Sequence, residues 1–147
     1  MKHLTITLLT LLVLGGCTEE ISEEKIIERN GLHYKVGTIE PITGTVVDYY
    51  NNKQIKSRLN YKFGKLDGLQ ERYHHYGQLT SKRYYKNGLL DGPYKTFRPN
   101  GTRESEGSYK EGELEGLQYS YSPNERVGNI YNCYMDNGKH KCFDYKE

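Results

Sequence analysis

From residue 44 onward, apolar and polar residues alternate in short stretches that turn residues separate. The pattern repeats at an interval of 24 residues, which leading glycines mark at Gly44, Gly68, Gly92 and Gly116. Each interval holds two alternating stretches and two turns, which is typical of a stacked β-hairpin repeat. We therefore predict an all-β protein, a single-sheet antiparallel array of 24-residue β-hairpin repeats. The repeats cover residues 44–67, 68–91, 92–115 and 116–142, and residues 143–147 form a C-terminal tail.

Aromatic residues stand at two fixed offsets from these glycines. The first column is Tyr49, Tyr73, Phe97 and Tyr121, and the second is Tyr61, Tyr85 and Tyr109. A column of small residues runs beside them, at Ser57, Ser81 and Ser105. Because side chains alternate between the two faces of a strand, these odd offsets are predicted to share one buried face. The rings then form the core, in preference to a binding platform, and the leading glycines and the rings are structural residues of the repeat.

The first 30 residues differ from the rest. A positive start, an apolar run from Leu4 to Leu14 and small residues before Cys17 predict a signal peptide at residues 1–16, since the run is too short to span a bilayer. The Leu-Gly-Gly-Cys stretch resembles the lipobox of bacterial lipoproteins, which implies that Cys17 carries the lipid. An ordinary signal peptide is the alternative. We predict an acidic tether at residues 17–30 and a divergent N-terminal unit or cap at residues 31–43.

Net charge is small overall but unevenly distributed. The formal value of +2 argues against a nucleic-acid binder. Residues 44–91, however, carry nine Lys and Arg against four Asp and Glu. Such charges are either the solvated face of a thin sheet or a basic patch for an acidic partner. The candidate patch consists of Lys53, Lys56, Arg58, Lys82, Arg83 and Lys86.

A recurring motif resembles a known repeat. Tyr-x-x-Gly-x-Leu-Asp/Glu-Gly occurs at residues 61–68, 85–92 and 109–116, and it resembles the MORN repeat. The resemblance is closer to the bacterial MORN variant described as the antitoxin component of a toxin–antitoxin system. It covers residues 30–142 and implies structural glycines and rings with no catalytic residue. Tryptophan, common in that family after the leading glycine, is absent here.

The last two cysteines flank a hairpin signal. Asn137-Gly138 favours a two-residue loop, which pairs Asp136 with Lys139 and therefore Cys133 with Cys142 at a non-hydrogen-bonded site. An exported chain oxidises such a pair, so we predict a disulfide that staples the terminal repeat. A free thiol pair or a metal site is the alternative.

No catalytic or cofactor-binding constellation emerges from the remaining residues. His74 and His75 are adjacent on a predicted strand and should point to opposite faces. We therefore predict a non-enzyme without metal or cofactor, held at the membrane of the bacterial cell envelope, in the outer membrane, through its N-terminal lipid. Two functions remain open: a protein-binding module, with a cognate toxin as the specific partner, or an envelope scaffold that binds anionic lipid or cell-wall material.

Overall fold

The computed structural model describes residues 21–22 and 25–145, and the regular elements of this part are β-strands. Their bounds are β1 Ile21–Ser22, β2 Ile26–Arg29, β3 Leu32–Lys35, β4 Gly44–Tyr49, β5 Ile55–Lys62, β6 Lys65–Tyr73, β7 Leu79–Lys86, β8 Leu89–Phe97, β9 Arg103–Lys110, β10 Glu113–Tyr121, β11 Val127–Asp136 and β12 Lys139–Asp144. A ten-stranded sheet has the order β1-β4-β5-β6-β7-β8-β9-β10-β11-β12, and β2 and β3 form a separate two-stranded sheet. The short β1 pairs in parallel with β4, and all later neighbours in the large sheet are antiparallel. The predicted fold class is confirmed.

Two-residue turns join β5 to β6, β7 to β8, β9 to β10 and β11 to β12. Both turn residues have positive φ at Phe63-Gly64, Asn87-Gly88, Glu111-Gly112 and Asn137-Gly138. This is the backbone of a type I′ turn, whose twist suits an antiparallel hairpin. The glycines of the 24-residue column lie elsewhere, since Gly68, Gly92 and Gly116 are inside strands β6, β8 and β10.

These column glycines mark irregularities in the sheet. Around Gly68, the pairing of β5 with β6 shifts register between Leu59 and Tyr61. Gly68 has a φ of 102°, which a residue with a side chain rarely adopts. The Gln70 amide repairs the ladder there, because its Oε1 accepts from the backbone N–H of Asn60 and its Nε2 donates to the Asn60 carbonyl, at 3.0 and 2.8 Å. Gly68 therefore provides the positive φ of a β-bulge inside the strand, where the sequence predicted a turn.

The two faces of the sheet do not have the composition predicted from the sequence. Residues paired across strands share a face, and the pairs differ by an odd number of positions, as Arg72 and Ser81 do. A given face therefore carries the residues at odd offsets on one strand and the residues at even offsets on the next strand. One face, which we call the serine face, carries the serine column and the second aromatic column, Ser57, Ser81, Ser105, Tyr61, Tyr85 and Tyr109. The opposite face, which we call the ion-pair face, carries Glu71, Lys82, Lys95 and Glu106.

The first aromatic column is the part of the face prediction that is wrong. Tyr73 donates to Glu71 and Tyr121 donates to Glu106, so both rings lie on the ion-pair face, opposite the serines. Tyr49 of the same column is 46% exposed and is no core residue. The fully buried interior is small, as expected of a single layer of strands.

In the described part of the predicted tether, residues 21–22 and 25–30, the structure has strands, which corrects the prediction for these residues. Strand β1 adds to the large sheet, and β2 with β3 forms a hairpin where a tether to residue 30 was expected. The hairpin is fastened to the first repeat by the His33 N–H, which donates to the Gly64 carbonyl at 2.9 Å. A buried cluster of Ile42, Val46, Leu59 and Tyr61 lies below, with Ile21, Ile26 and Leu66 packed against it. Residues 31–43, predicted as a divergent N-terminal unit or a cap, thus contain strand β3 and the segment that leads to β4.

Other predictions fall on the chain ends. Strand β12 runs to Asp144, so the predicted tail at residues 143–147 begins within a strand. A membrane-crossing helix is absent from residues 21–22 and 25–145. The predicted signal peptide at residues 1–16 and the lipidated Cys17 lie outside the described residues.

Candidate functional site on the serine face

Cations on the ion-pair face are neutralised by carboxylates of neighbouring strands. Lys82 Nζ lies 3.0 Å from Glu71 Oε1, and Lys95 Nζ lies 3.1 Å from Glu106 Oε2. Arg103 adds a contact of 3.5 Å to Glu106. Opposite charges are therefore paired across β6–β7 and across β8–β9, the arrangement that stabilises antiparallel neighbours, whereas Lys82 and Lys95 lie opposite each other across β7–β8.

Tyrosine hydroxyls donate hydrogen bonds to the carboxylates of this face, and these bonds shift the pKa values of the bonded groups. The Tyr121 hydroxyl donates to Glu106 Oε1 at 2.5 Å, and this bond, aided by Lys95 and Arg103, holds the pKa of Glu106 below its ordinary value against the opposing effect of burial. The same bond raises the pKa of Tyr121. Burial, followed by the hydrogen bond to Glu71, raises the pKa of Tyr73. Tyr121 is thus buried as predicted, and its hydroxyl, like that of Tyr73, also donates to a charged network.

A cavity of about 170 Å³ opens on the serine face, in the middle of the first two repeats. We call it the arginine trough; its lining consists of Leu59, Tyr61, Leu66, Gln70, Arg72, Ser81, Arg83 and Tyr85. Strands β5, β6 and β7 contribute these side chains, so three paired strands fix the geometry of the trough. Its apolar side is continuous with the buried cluster at the N-terminal hairpin, because Leu59, Tyr61 and Leu66 belong to both.

Two guanidinium groups distinguish the arginine trough. Arg72 and Arg83 are on adjacent strands, paired respectively with Ser81 and Gln70. Within residues 21–22 and 25–145, neither guanidinium has an ion pair or a hydrogen bond. Arg83 is half-buried and Arg72 is exposed at the mouth.

The surroundings of these arginines favour an anionic ligand. The Gln70 amide is fully engaged by the Asn60 backbone and is 5% exposed, so it acts as a fixed wall and is not free to bind. Arginine presents several N–H donors in a planar fork that matches a carboxylate, and arginine and tyrosine are the residues most enriched in binding hot spots. The trough can therefore hold carboxylate groups of a partner between charged, hydroxyl and aromatic side chains.

The six-residue basic patch predicted from the sequence is divided by the fold. Lys82 lies on the ion-pair face and Arg83 on the serine face. Lys56 is paired with Asp48 at 2.5 Å, and Lys53 is in a turn with a φ of 66°. Arg58 pairs across strands with Glu71, and Lys86 with Leu89. The structure brings one member of the patch, Arg83, to the trough; its companion there, Arg72, was missed.

The disulfide prediction is confirmed together with its register. Cys133 pairs with Cys142 across β11 and β12, Asp136 pairs with Lys139, and an S–S bond of 2.12 Å joins the two cysteines. Their Cα atoms are 4.1 Å apart, close to the spacing of a non-hydrogen-bonded pair. The terminal strand is thus covalently fastened to the array.

The prediction that His74 and His75 are adjacent on a strand is wrong. His74 and His75 lie in the turn after β6 and not on a strand. The His74 ring stacks on Tyr76 with centroids 4.9 Å apart, and the His75 ring meets the same tyrosine edge-on at 4.8 Å. Both imidazoles therefore pack against the ring of a mid-repeat turn.

Fold and site together define a class, a single-layer array of antiparallel hairpins with a polar trough on one face. Residues 42–63, 66–87 and 90–111 match the model of the MORN repeat variant. Each matched segment spans one hairpin, β4–β5, β6–β7 or β8–β9. Three segments of the chain thus match the MORN repeat variant, and repeats of this kind generally form non-enzymatic binding or structural modules. No curated protein matches the chain.

Proposed function

We propose that this protein is a non-catalytic protein-binding module whose arginine trough grips an acidic segment of a partner. The observation that carries the proposal is the contrast between the faces: Lys82 and Lys95 are neutralised by neighbouring carboxylates, whereas Arg72 and Arg83 have no such partner among the described residues. An unpaired guanidinium beside aromatic rings gains a charge-assisted hydrogen bond when a carboxylate arrives, and it loses no existing partner.

The setting of this module is part of the proposal. The lipobox-like stretch ending at Cys17 supports a lipid anchor, and with it residence in the bacterial cell envelope, at the outer membrane. The resemblance to the bacterial MORN variant described as an antitoxin component supports a cognate toxin as partner. Neutralisation would then proceed by occlusion, since a repeat array needs no chemistry to cover a surface.

The test is capture of partners by cross-linking in envelope extracts of the native host. The bait is the mature lipidated protein, compared with Arg72→Gln/Arg83→Gln and with Lys82→Gln/Lys95→Gln. Both double variants lose two positive charges, but they lose them on opposite faces. We expect one dominant protein to be captured by the wild type and by the lysine variant, and its recovery to fall about tenfold or more with the arginine variant.

The envelope scaffold is the second candidate, and the basic surplus of residues 44–91 is the observation that favours it. It predicts weak, salt-sensitive binding to vesicles of anionic lipid. Neutralising Lys53, Lys56, Arg58, Lys82, Arg83 and Lys86 together should abolish such binding. Recovery of lipid or cell-wall material, with no enriched protein, would establish the envelope-scaffold function. It would overturn the proposal that the arginine trough binds a protein partner.

A further inference from the structure

The terminal hairpin places a third metal-capable side chain beside the disulfide. Cys133, His140 and Cys142 each offer one ligand atom, and these three atoms lie within 4.8 Å of one another. His140 and Cys142 are two residues apart on β12, so their side chains share a face with Cys133. His140 Nε2 lies 3.9 Å from Cys142 Sγ.

We propose that reduction of the Cys133–Cys142 disulfide converts this staple into a binding site for a thiophilic divalent metal, Zn²⁺ or Co²⁺. Two cysteine thiolates and one histidine nitrogen, with a fourth position open to water, are a donor set that Zn²⁺ accepts in tetrahedral geometry. The proposal is independent of the arginine trough, which lies on other strands.

The geometry needs little rearrangement. Two sulfurs bound to one Zn²⁺ at about 2.3 Å each are about 3.8 Å apart at the tetrahedral angle. Since the sulfurs of any disulfide are about 2.0 Å apart, reduction requires them to separate by less than 2 Å, roughly, to reach this spacing. Cys142 is exposed, so a reductant can reach it, while Cys133 is 1% exposed and anchors the site in the sheet.

Neighbouring groups orient the imidazole. In the disulfide form, His140 Nε2 is 2.8 Å from the Leu114 carbonyl, to which it donates when it carries the proton. His140 Nδ1 lies 3.8 Å from Glu113 Oε2. If the proton moves to Nδ1 and the ring turns away from the Leu114 carbonyl, a shift of the Glu113 side chain brings its carboxylate within hydrogen-bond distance of that N–H, and the Nε2 lone pair becomes free for a metal. A carboxylate behind a ligating histidine is a common support of zinc sites.

The redox step balances with a phosphine as reductant. The phosphine takes an oxygen atom from water and becomes its oxide, while the two hydrogens of that water end on the sulfurs as thiols. Binding of the metal then releases both thiol protons to solvent. The oxidised protein has no thiolate at this site and should bind no thiophilic metal there.

The experiment titrates Co²⁺ alone into the mature chain carrying Cys17→Ser, so that no third thiol contributes. Samples are compared before and after phosphine reduction, by the thiolate-to-cobalt charge-transfer absorption. We expect one equivalent of Co²⁺ with this absorption in the reduced protein and none in the oxidised protein. His140→Ala should weaken binding about tenfold or more, whereas His75→Ala, in a distant turn, should not change it.

Two results would overturn the proposal: no charge-transfer absorption after reduction, or equal affinity in His140→Ala and His75→Ala. Circular dichroism of the reduced, metal-free sample reports whether the sheet persists. If the terminal hairpin opens on reduction, the proposal predicts that Co²⁺ restores its protection from amide hydrogen exchange, and failure to restore it counts against the site.

Discussion

The two faces of this sheet are built from the same strands, yet they handle charge in opposite ways. On the ion-pair face, Glu71 and Glu106 each serve a lysine from a neighbouring strand and a tyrosine hydroxyl. On the serine face, Arg72 and Arg83 have glutamine, serine and tyrosine for neighbours. Ion pairs thus satisfy Lys82 and Lys95 on the first face, whereas Arg72 and Arg83 have none within the part of the chain that the structure describes and remain available to a partner.

This comparison separates stability from binding within one layer of strands. A single sheet has no second layer against which to bury its core, so the interior contacts must come from the faces themselves. Substitutions on the ion-pair face should therefore change the free energy of unfolding, and substitutions of the trough arginines should change affinity. Close packing on the serine face is the exception, because glycine there makes room for its neighbours.

The largest effect is expected at Gly107, a serine-face position without positive φ. A Cβ atom there would lie 1.8 Å from Gln118 Oε1 and 3.0 Å from Tyr94 Cε1. Gln118 cannot swing away cheaply, since it is 5% exposed and its Nε2 donates to the carbonyls of Ser108, Glu115 and Gly116. We expect Gly107→Ala to cost about 1–3 kcal/mol in urea unfolding.

The control for this substitution is Gly128→Ala. Its Cβ would come no closer than 3.3 Å, to Ser120 Oγ, and Gly128 also lacks a positive φ. If the two substitutions lowered the free energy of unfolding equally, the loss would come from replacing glycine itself and not from crowding on the serine face.

Sequence reasoning succeeded where a local signal decides the structure. Asn137-Gly138 fixes a two-residue loop, and the register from that loop leads directly to the Cys133–Cys142 pair. The 24-residue glycine interval likewise predicted a sequential array of antiparallel hairpins. These features depend on the backbone of one turn or on repetition, and both can be read without knowing any distant contact.

Face assignment failed because it depends on pairing across strands. Alternation was counted along the numbering, but Arg72 lies opposite Ser81 and each repeat contains register shifts. The trough was missed for the same reason: Arg72 stands at an even offset from Gly68, and counting along the numbering places it on the face opposite Ser81, with which it is in fact paired. Applying the pairing rule of the terminal hairpin to every repeat would have placed both arginines on one face.

The next largest effect is expected from the hydroxyl that links Tyr121 to Glu106 on the ion-pair face. Tyr121→Phe removes a charge-assisted hydrogen bond of 2.5 Å while the ring, 8% exposed, keeps its packing. We expect a loss of about 1–2 kcal/mol in the free energy of unfolding. Tyr119→Phe, two residues earlier on the same strand, is the matched control, and a comparable loss there would remove the special role of the Glu106 bond.

The same bond predicts how stability depends on pH. The pKa of Glu106 lies below its ordinary 4.5, chiefly because Tyr121 donates to it. Its contribution is therefore complete above the unfolded-state pKa and is lost as the pH falls through the lower pKa of the folded protein. In urea unfolding, the free energy of unfolding of the wild type should exceed that of Glu106→Gln by a constant amount above about pH 5. This difference should narrow as the pH falls below about 4.5. A gap that widens with acid would contradict this sign.

The smallest effect on stability is expected at the trough, and there it is the most informative. Arg72 and Arg83 make no ion pair or hydrogen bond within the described residues, so Arg72→Gln and Arg83→Gln should each change the free energy of unfolding by less than about 0.5 kcal/mol. Glu71→Gln, directed at the opposite face, removes the partner of both Lys82 and Tyr73 and should cost more. If the arginine variants lowered the free energy of unfolding more than Glu71→Gln does, the two guanidiniums would have a structural role. That result would contradict the proposal that the serine face is the binding surface.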